Sequence, residues 1–165
     1  MKHSYTVPFT QKGIEKIISA LDEYERWIND KAQELVRRLA DEGMRIAQFG
    51  FDIAVYDGVN DVKVTCEDRG EYVSAVIATG NAVLFIEFGA GYYLGYGHPE
   101  PMGYGVGTYP GQTHAFDPKG WYLPKAVQEE TGIDHSIGNP PSMAMYNTVK
   151  ELEDRLQEIA SEVFQ

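Results

Sequence analysis

The residues of this sequence best suited to chemistry are its histidines and the acids beside them. Three of the four histidines have an acid within a few residues: His98 with Glu100, His114 with Asp117, and His135 with Asp134. Imidazole and carboxylate groups could together bind a divalent metal or exchange a proton during hydrolysis. No pair of histidines shows the HExxH spacing or a comparable ligand motif. We therefore predict no catalytic residue, metal site or cofactor, and keep as the alternative a small metal- or carboxylate-dependent hydrolase using His98, His114 and neighbouring acids.

Two other features that could carry chemistry are weak. Cys66 is the only cysteine, so the chain can form no internal disulfide and no cysteine-based zinc site. It alternates with Val62 and Val64 on one face of a predicted strand, which favours a small core residue over a nucleophile. The glycines between residues 95 and 111 do not follow a strand and open a helix, so they do not predict a phosphate-binding loop.

The segment from Gly89 to Tyr122 has an unusual composition. It holds nine of the 17 glycines and six of the 11 tyrosines, yet shows neither helical nor alternating periodicity. Tyrosine and tryptophan supply large contact areas at modest entropic cost, which favours a protein-binding surface. Two alternatives stay open: a loop folded over its own sheet, and a carbohydrate-binding surface. The residues predicted at a protein interface are Glu87, Phe88, Tyr92, Tyr93, Tyr96, Tyr104, Tyr109, Trp121 and Tyr122.

The elements that must position this segment begin with a long helix. Residues 1–10 read as an extended arm, and apolar residues then recur at helical spacing over residues 11–48, with Thr10 as the predicted N-cap and Gly50 as the end. Such a helix would be roughly 55 Å long, which exceeds the width of a domain of this size. It therefore either breaks, near Gly43 or residues 27–30, or projects toward a neighbour.

Residues 51–88 predict an antiparallel sheet. Residues 51–56 read as a strand or extended segment, and two alternating runs, residues 62–67 and 71–78, form a hairpin. The apolar run of residues 83–88 is either a third strand or a short buried helix. Within it, the carboxylate of Glu87 must be hydrogen-bonded, paired or placed at a subunit boundary.

The last part of the chain completes a single α+β domain over residues 1–165. Residues 89–141 form a long loop excursion in which residues 123–133 could hold one or two helical turns. Residues 142–165 predict a C-terminal helix with Ser142 as its cap, a narrow apolar stripe and an opposite acidic face. The two helices are predicted to pack on the small sheet.

The charge of the chain excludes some classes of function. The formal net charge is -11, and residues 129–165 alone carry eight acids and two bases. An acidic surface repels phosphate, which argues against direct nucleic-acid binding. The N-terminus lacks the apolar segment of a signal peptide, and no apolar run reaches the ~18 residues of a membrane helix. We expect a soluble protein that makes no membrane contact and is assembled in a reducing compartment.

The order of these signals resembles one protein family. After the helix come the hairpin, the segment AVLFIEFGAG, the segment GTYPGQTHAFDPKGWYL, a proline-rich stop and the helix PSMAMYNTVKEL. This order, over roughly residues 14 to 164, is similar to that of the tail-completion or head-tail joining proteins of long-tailed bacteriophages and prophages, often labelled minor capsid proteins. The most specific piece is Phe85 to Gly91. The family's arginine-proline-phenylalanine pattern before the last helix is replaced here by residues 139–143, so contacts made there by relatives are not carried over.

The resemblance implies a non-enzymatic structural protein of the virion, assembled in the cytoplasm of the host bacterium. It implies a homo-oligomeric ring, commonly a hexamer, that contacts the tail-tube and head-connector proteins. DNA would pass through the ring without specific binding, and an acidic lumen would help it pass.

Overall fold

The computed structural model describes residues 6–99 and 117–165, and over these residues the chain is α+β. Predictions that concern His3, Glu100, Tyr104, Tyr109 and His114 lie outside the described residues. The described elements, in chain order, are α1 (Gln11–Asp52), β1 (Lys63–Gly70), β2 (Val73–Thr79), α2 (Val83–Glu87), a 3₁₀ turn (Gly91–Tyr93), β3 (Trp121–Tyr122), α3 (Lys125–Thr131), β4 (His135–Ser136) and α4 (Ala144–Val163). The predicted fold class is confirmed.

Helix α1 is a single unbroken helix of 42 residues, about 63 Å long at 1.5 Å per residue. Thr10 caps it as predicted, because its hydroxyl oxygen accepts a hydrogen bond from the backbone amide of Gly13 at 3.2 Å. The prediction that Gly50 ends the helix was wrong. The helix continues to Asp52, because Phe51 is fully buried in the core and its burial holds the last turn in helical form.

Strands β1 and β2 form the predicted hairpin. They pair antiparallel from Lys63 opposite Thr79 to Gly70 opposite Val73, with an irregularity between Asp68 and Gly70. The third element of the predicted sheet is helical, since residues 83–87 form α2. The predicted sheet over residues 51–88 is therefore reduced to this hairpin, and residues 51–52 belong to α1.

The core lies where α1, the hairpin, α2 and α4 meet. Its buried members are Ala47, Phe51, Val62, Val64, Ala82, Ile86 and Ala144. Helix α4 runs antiparallel to α1, with Ala144 near Gly50 and Leu152 near Gly43. Two ion pairs join these helices: Arg38 with Glu162 at 3.2 Å, and Arg155 with Glu42.

A second small sheet lies in the region predicted as a loop excursion. Trp121 pairs with Ser136 and Tyr122 with His135 in the β3–β4 ladder. Helix α3 between them has seven residues, as expected for one or two turns. In the described part of the chain, no helix combines the length and apolar character that crossing a membrane requires.

Candidate functional site: the Glu87 junction and the exposed tyrosines

Glu87 connects the middle of the chain to the start of α4. Its carboxylate oxygens accept hydrogen bonds from the backbone amides of Met145 at 2.8 Å and Tyr146 at 3.0 Å. The first amides of a helix have no partner within the helix, and a negative charge there is favourable. Met143, at the N-cap position, provides no side-chain hydrogen bond. Glu87 therefore caps α4 from a distant part of the sequence.

This contact corrects two predictions. Ser142 is not the cap of α4, because its hydroxyl donates instead to the carbonyl oxygen of Gly50 at 3.2 Å. Glu87 is only 5% exposed, and Phe88 is also buried. We therefore reassign these two residues from the predicted protein interface to the interior.

The segment between α3 and α4 also donates hydrogen bonds to α2. The backbone amides of Ser142 and Met143 donate to the carbonyl oxygens of Ile86 and Glu87 at 2.8 and 3.2 Å. The buried side-chain amide of Asn139 donates to the carbonyl oxygen of Phe85 at 2.9 Å. The end of α2 and the start of α4 thus satisfy each other's unpaired backbone groups. We call residues 85–91 and 139–146 the Glu87 junction.

The glycines of the junction allow a close backbone approach. Gly89 and Gly91 have φ values of 79° and 58°, which favour glycine. A Cβ on Gly89 would lie 2.8 Å from Pro141 Cδ, and one on Gly91 would lie 2.6 Å from the ring of Trp121. The amides of Ala90 and Tyr92 donate to carbonyl oxygens of residues 139 and 137, both at 2.9 Å. This part of the loop therefore folds over its own chain.

His98 belongs to the interior of the same region. It is buried, its Nε2 lies 3.7 Å from Oε1 of Glu87, and its ring contacts those of Phe88 and Tyr146 at centroid distances of 4.5 and 5.7 Å. The 3.7 Å separation is too long for a hydrogen bond. His98 therefore packs against the cap of α4.

The other described candidates for chemistry contact different residues from those that surround His98. His135 is exposed and contacts Tyr122, with ring centroids 5.0 Å apart. Asp117 accepts a hydrogen bond from the backbone amide of Lys119 at 2.9 Å. Among the described residues, no group of three histidine, cysteine or acidic side chains is placed to hold a metal ion. The hydrolase alternative is not tested by this, because His114 and Glu100 lie outside the described residues.

Cys66 lies in β1 opposite Val76 and is partly buried. Burial raises the pKa of its thiol, and the nearby charges of Asp41, Asp68 and Glu67 raise it further. A thiol with a raised pKa is a weaker nucleophile at neutral pH, because less of it is thiolate. The predicted core position is not confirmed, because Cys66 is only partly buried and does not belong to the buried core.

The fold exposes some residues of the predicted aromatic surface and partly buries others. Tyr92, Tyr96 and Tyr122 are exposed, the last two to 77% each. Tyr93 and Trp121 are half-buried, and the ring of Trp121 lies against Gly91. Tyr92 and Tyr96 directly follow the Glu87 junction, and Tyr122 follows Trp121. We call Tyr92, Tyr96 and Tyr122 the exposed tyrosines.

Sequence reasoning missed one surface feature, at the two ends of α1. Apolar residues near its start are exposed, and so are Phe49 and Ile53 near its end. The helical periodicity included the first group, and the predicted length of the helix left open that it projects toward a neighbour, but neither indicated which side chains stay uncovered. The available signal was the length of α1, which exceeds what α4 can cover.

Comparisons of the chain with protein-family models, curated proteins and solved structures gave no match.

Proposed function

We propose that the protein is a structural virion protein of a long-tailed phage or prophage, which forms a homo-oligomeric ring that completes the tail and joins it to the head. One observation carries this proposal: the exposed tyrosines lie next to the Glu87 junction, whose hydrogen bonds fix the backbone beneath them. The junction includes Phe85 to Gly91, the segment in which the chain resembles the tail-completion proteins.

The chemistry of this surface favours a protein partner. Exposed tyrosines provide broad apolar contact and a hydroxyl that can donate or accept at the rim. The backbone beneath them is fixed by hydrogen bonds of Ala90 and Tyr92 to the segment before α4. Less conformational entropy is then lost when a partner binds, which favours a stable contact between subunits.

The charge of α4 supports passage of DNA through such a ring. Its exposed acids are Glu151, Glu153, Asp154, Glu158 and Glu162. If this face lined the lumen, like charge would remove the phosphate contacts on which non-specific DNA binding depends. The tail-tube and head-connector proteins would meet the two faces of the ring.

The proposal is tested by deleting the gene from its phage or prophage and examining induced lysates by electron microscopy. The expected result is DNA-filled heads and separate tails, with joined particles restored by the wild-type gene. Joined, infectious particles in the deletion strain would overturn the proposal.

A matched pair of variants tests the surface. The double variant Tyr96→Ala, Tyr122→Ala should fold normally, because both side chains are exposed, and should fail to restore joined particles. Tyr72→Ala removes an exposed tyrosine from the hairpin end instead, and should restore them fully. Equal restoration by both would exclude the exposed tyrosines as the contact surface.

A further inference from the structure

The outer edge of β2 carries backbone groups that point away from the hairpin. The amide of Val64 donates to the side chain of Gln48 at 2.8 Å, so the backbone of Val64 points away from β2. Inward and outward backbone groups alternate along an antiparallel ladder, and Val64 lies opposite Ala78. The backbone groups of Ser74, Val76 and Ala78 therefore point away from β1. In the described part of the chain they bond to no other element, and we call them the β2 edge.

The two edges of the hairpin differ in how they are protected. Strand β1 carries four charged residues, and the side chain of Gln48 bonds to the backbone of Val62 and Val64 at its start. Charged side chains and covering groups are common means by which proteins prevent a strand edge from pairing. Strand β2, VSAVIAT, carries no charge and no proline. The β2 edge is therefore free to accept an extended chain.

Helix α4 provides apolar side chains beside this edge. A Cβ on Gly43 would lie 3.0 Å from Leu152 of α4 and 3.3 Å from Val76 of β2, so these two side chains meet at α1. Val149 and Leu156 lie on the same side of α4 as Leu152, and they are 52% and 45% exposed. A chain added at the β2 edge would pack against these two side chains.

The same arrangement excludes a second hairpin from this position. Helix α1 packs on both strands of the hairpin. Pairing two β2 strands about a two-fold axis would join the hairpins into one sheet, with both copies of α1 on the same face. Strands lie about 4.8 Å apart and packed helices about 8–10 Å apart, so α4 of each copy would occupy the position of α1 of the other. The occupant must be a single extended segment.

The residues directly before α1 meet these requirements. Residues 6–10, which we call the arm, carry no charge and form no helix or strand. Val7 and Phe9 flank Pro8, and Phe9 is 98% exposed. Proline lacks an amide hydrogen, so Pro8 fits an edge strand only where its nitrogen faces away from the neighbouring strand. In that register the backbones of Val7 and Phe9 face β2. Their side chains then share the face of Val76, toward α1 and α4.

The arm of the same copy cannot reach the β2 edge. Val76 lies beside Gly43, and Gly43 lies about 48 Å along α1 from Gln11 at 1.5 Å per residue. Val7 can extend beyond Gln11 by about 14 Å at most. An arm that pairs with the β2 edge must therefore come from a second copy.

We propose that the β2 edge of one copy binds the arm of a second copy as an added strand. Main-chain hydrogen bonds give the affinity, and Val7 and Phe9 contact the exposed apolar side chains of α4. The contact joins two different surfaces of the same chain, so it is head-to-tail and generates closed rings or open filaments. The biological use of the contact rests on the ring of the proposed function, but the association itself is measured in solution, so either can fail while the other stands.

The experiment measures self-association of the full chain by sedimentation equilibrium over a wide range of concentration. Ser74→Pro removes one amide hydrogen of the β2 edge and keeps the hydrogen bonds between β1 and β2. Val7→Glu places a charge on the face of the arm that contacts α4. Each should weaken self-association by at least about tenfold. Thr6→Glu adds the same charge to the opposite face of the arm and should associate like the wild type. Circular dichroism confirms that each variant is folded, and Val149→Glu replaces Ser74→Pro if the latter is not.

Mixing the two defective variants gives the decisive result. Ser74→Pro keeps an intact arm and Val7→Glu keeps an intact β2 edge, so the mixture should form 1:1 dimers that do not grow. Normal association of Val7→Glu would show that the arm is not the occupant, and normal association of Ser74→Pro would show that the β2 edge is not the contact. Either result would overturn the proposal, as would a wild-type protein that stays monomeric at every concentration.

Discussion

The carboxylate of Glu87 accepts a hydrogen bond from the backbone amide of Met145 at 2.8 Å, although 58 residues separate them in the chain. A helix N-terminus is usually capped by a residue directly before it, but here the cap comes from α2. The acid inside the apolar run is thus explained by an internal role. The motif that carries the family resemblance fixes the base of the exposed tyrosines and is itself buried.

Removing the Glu87 carboxylate should destabilise the fold strongly. Glu87→Ala leaves two amides of α4 without their charged acceptor, and hydrogen bonds to charged groups are each worth about 1.5–3 kcal/mol. We expect the free energy of unfolding in urea to fall by about 3 kcal/mol for Glu87→Ala and by less for Glu87→Gln, which keeps one oxygen acceptor. The control Glu71→Gln, at an exposed site, should match the wild type. An unchanged Glu87→Ala would show that the cap contributes little.

At Gly89, steric contact with the atoms packed against it should disfavour a side chain more than the left-handed backbone conformation does. Gly89 and Gly132 have similar φ values of 79° and 74°, but only a Cβ on Gly89 would meet other atoms within 3 Å. Gly132→Ala should cost about 1 kcal/mol of unfolding free energy from the left-handed conformation alone. Gly89→Ala should cost at least about 2 kcal/mol more, because the chain must move away from Pro141. If Gly89→Ala and Gly132→Ala lost the same stability in thermal and urea unfolding, this explanation would be contradicted.

Two glycines on the face of α1 toward α4 should respond differently to alanine. A Cβ on Gly50 would lie 3.0 Å from Ala144 Cβ and 3.3 Å from its Cα, whereas one on Gly43 would meet only side-chain ends, Leu152 Cδ1 at 3.0 Å and Val76 Cγ2 at 3.3 Å among them. Alanine gains about 1 kcal/mol of helix propensity at either site. Leu152 can rotate away, but the α4 backbone cannot. Gly43→Ala should therefore stay within about 0.5 kcal/mol of the wild type, and Gly50→Ala should lose about 1 kcal/mol.

The matched control for this pair is a double variant. Ala144→Gly combined with Gly50→Ala removes the methyl group that clashes. The two changes should therefore destabilise the protein by less than the sum of their separate effects. Additive losses would show that the α1–α4 contact at Gly50 is looser than the structure has it.

Asp61 should stabilise the protein at neutral pH and not in acid. Its carboxylate accepts hydrogen bonds from the backbone amides of Asn81 and Ala82 at the start of α2, and these lower its pKa below the ordinary value. A lowered pKa gives stability that is fully present above the unfolded value of about 3.9 and is lost as the pH falls through the folded value. Because Asp61 is exposed and screened by solvent, we expect Asp61→Asn to cost about 0.5–1 kcal/mol at pH 7.

The measurement for Asp61 is urea unfolding of the wild type and the variant over a range of pH. The difference between them should shrink as the pH falls below the unfolded pKa. Asp30→Asn, at an exposed site on α1, should show no such pH-dependent difference. A constant difference for Asp61→Asn would mean that the charge of the carboxylate is not what stabilises α2.

The acidic face of α4 should prevent DNA binding. Changing Glu151, Glu153, Glu158 and Glu162 to glutamine leaves the positive charges of Arg38 and Lys150 without the acids they now pair with, and it leaves Arg155 with Glu42 alone. In gel-shift assays at low salt, this variant should retard duplex DNA, and added salt should abolish the shift. On the proposed function, a phage carrying this variant should deliver DNA less efficiently. Normal delivery would argue against a lumen lined by α4.

The control for charge alone changes Glu15, Glu23, Glu25 and Glu71 to glutamine, which removes the same number of acids elsewhere. This control should not retard DNA. Equal retardation by both variants would show that total charge, and not the face of α4, governs the effect.

The exposed tyrosines show how far the candidate surface was predictable. Composition alone identified the segment, since no other stretch concentrates tyrosine and glycine as Gly89 to Tyr122 does. Composition could not tell that Tyr96 and Tyr122 face solvent while Phe88 is buried. That difference depends on which side chains face the segment before α4, and no local sequence pattern indicates which ones do.

Elements that depend on local periodicity and local hydrogen bonding could be predicted from the sequence. The apolar repeat gave α1 and α4, alternation gave the β1–β2 hairpin, and Thr10 capped α1 as its position predicted. The tertiary structure decided where α1 ends and what caps α2 and α4. Gly50 does not end α1 because Phe51 is buried beyond it, and Asp61 and Glu87 act as caps from 20 and 58 residues away. The physical reason is that burial and long-range hydrogen bonds depend on which segments meet in space, and a local pattern carries no record of that.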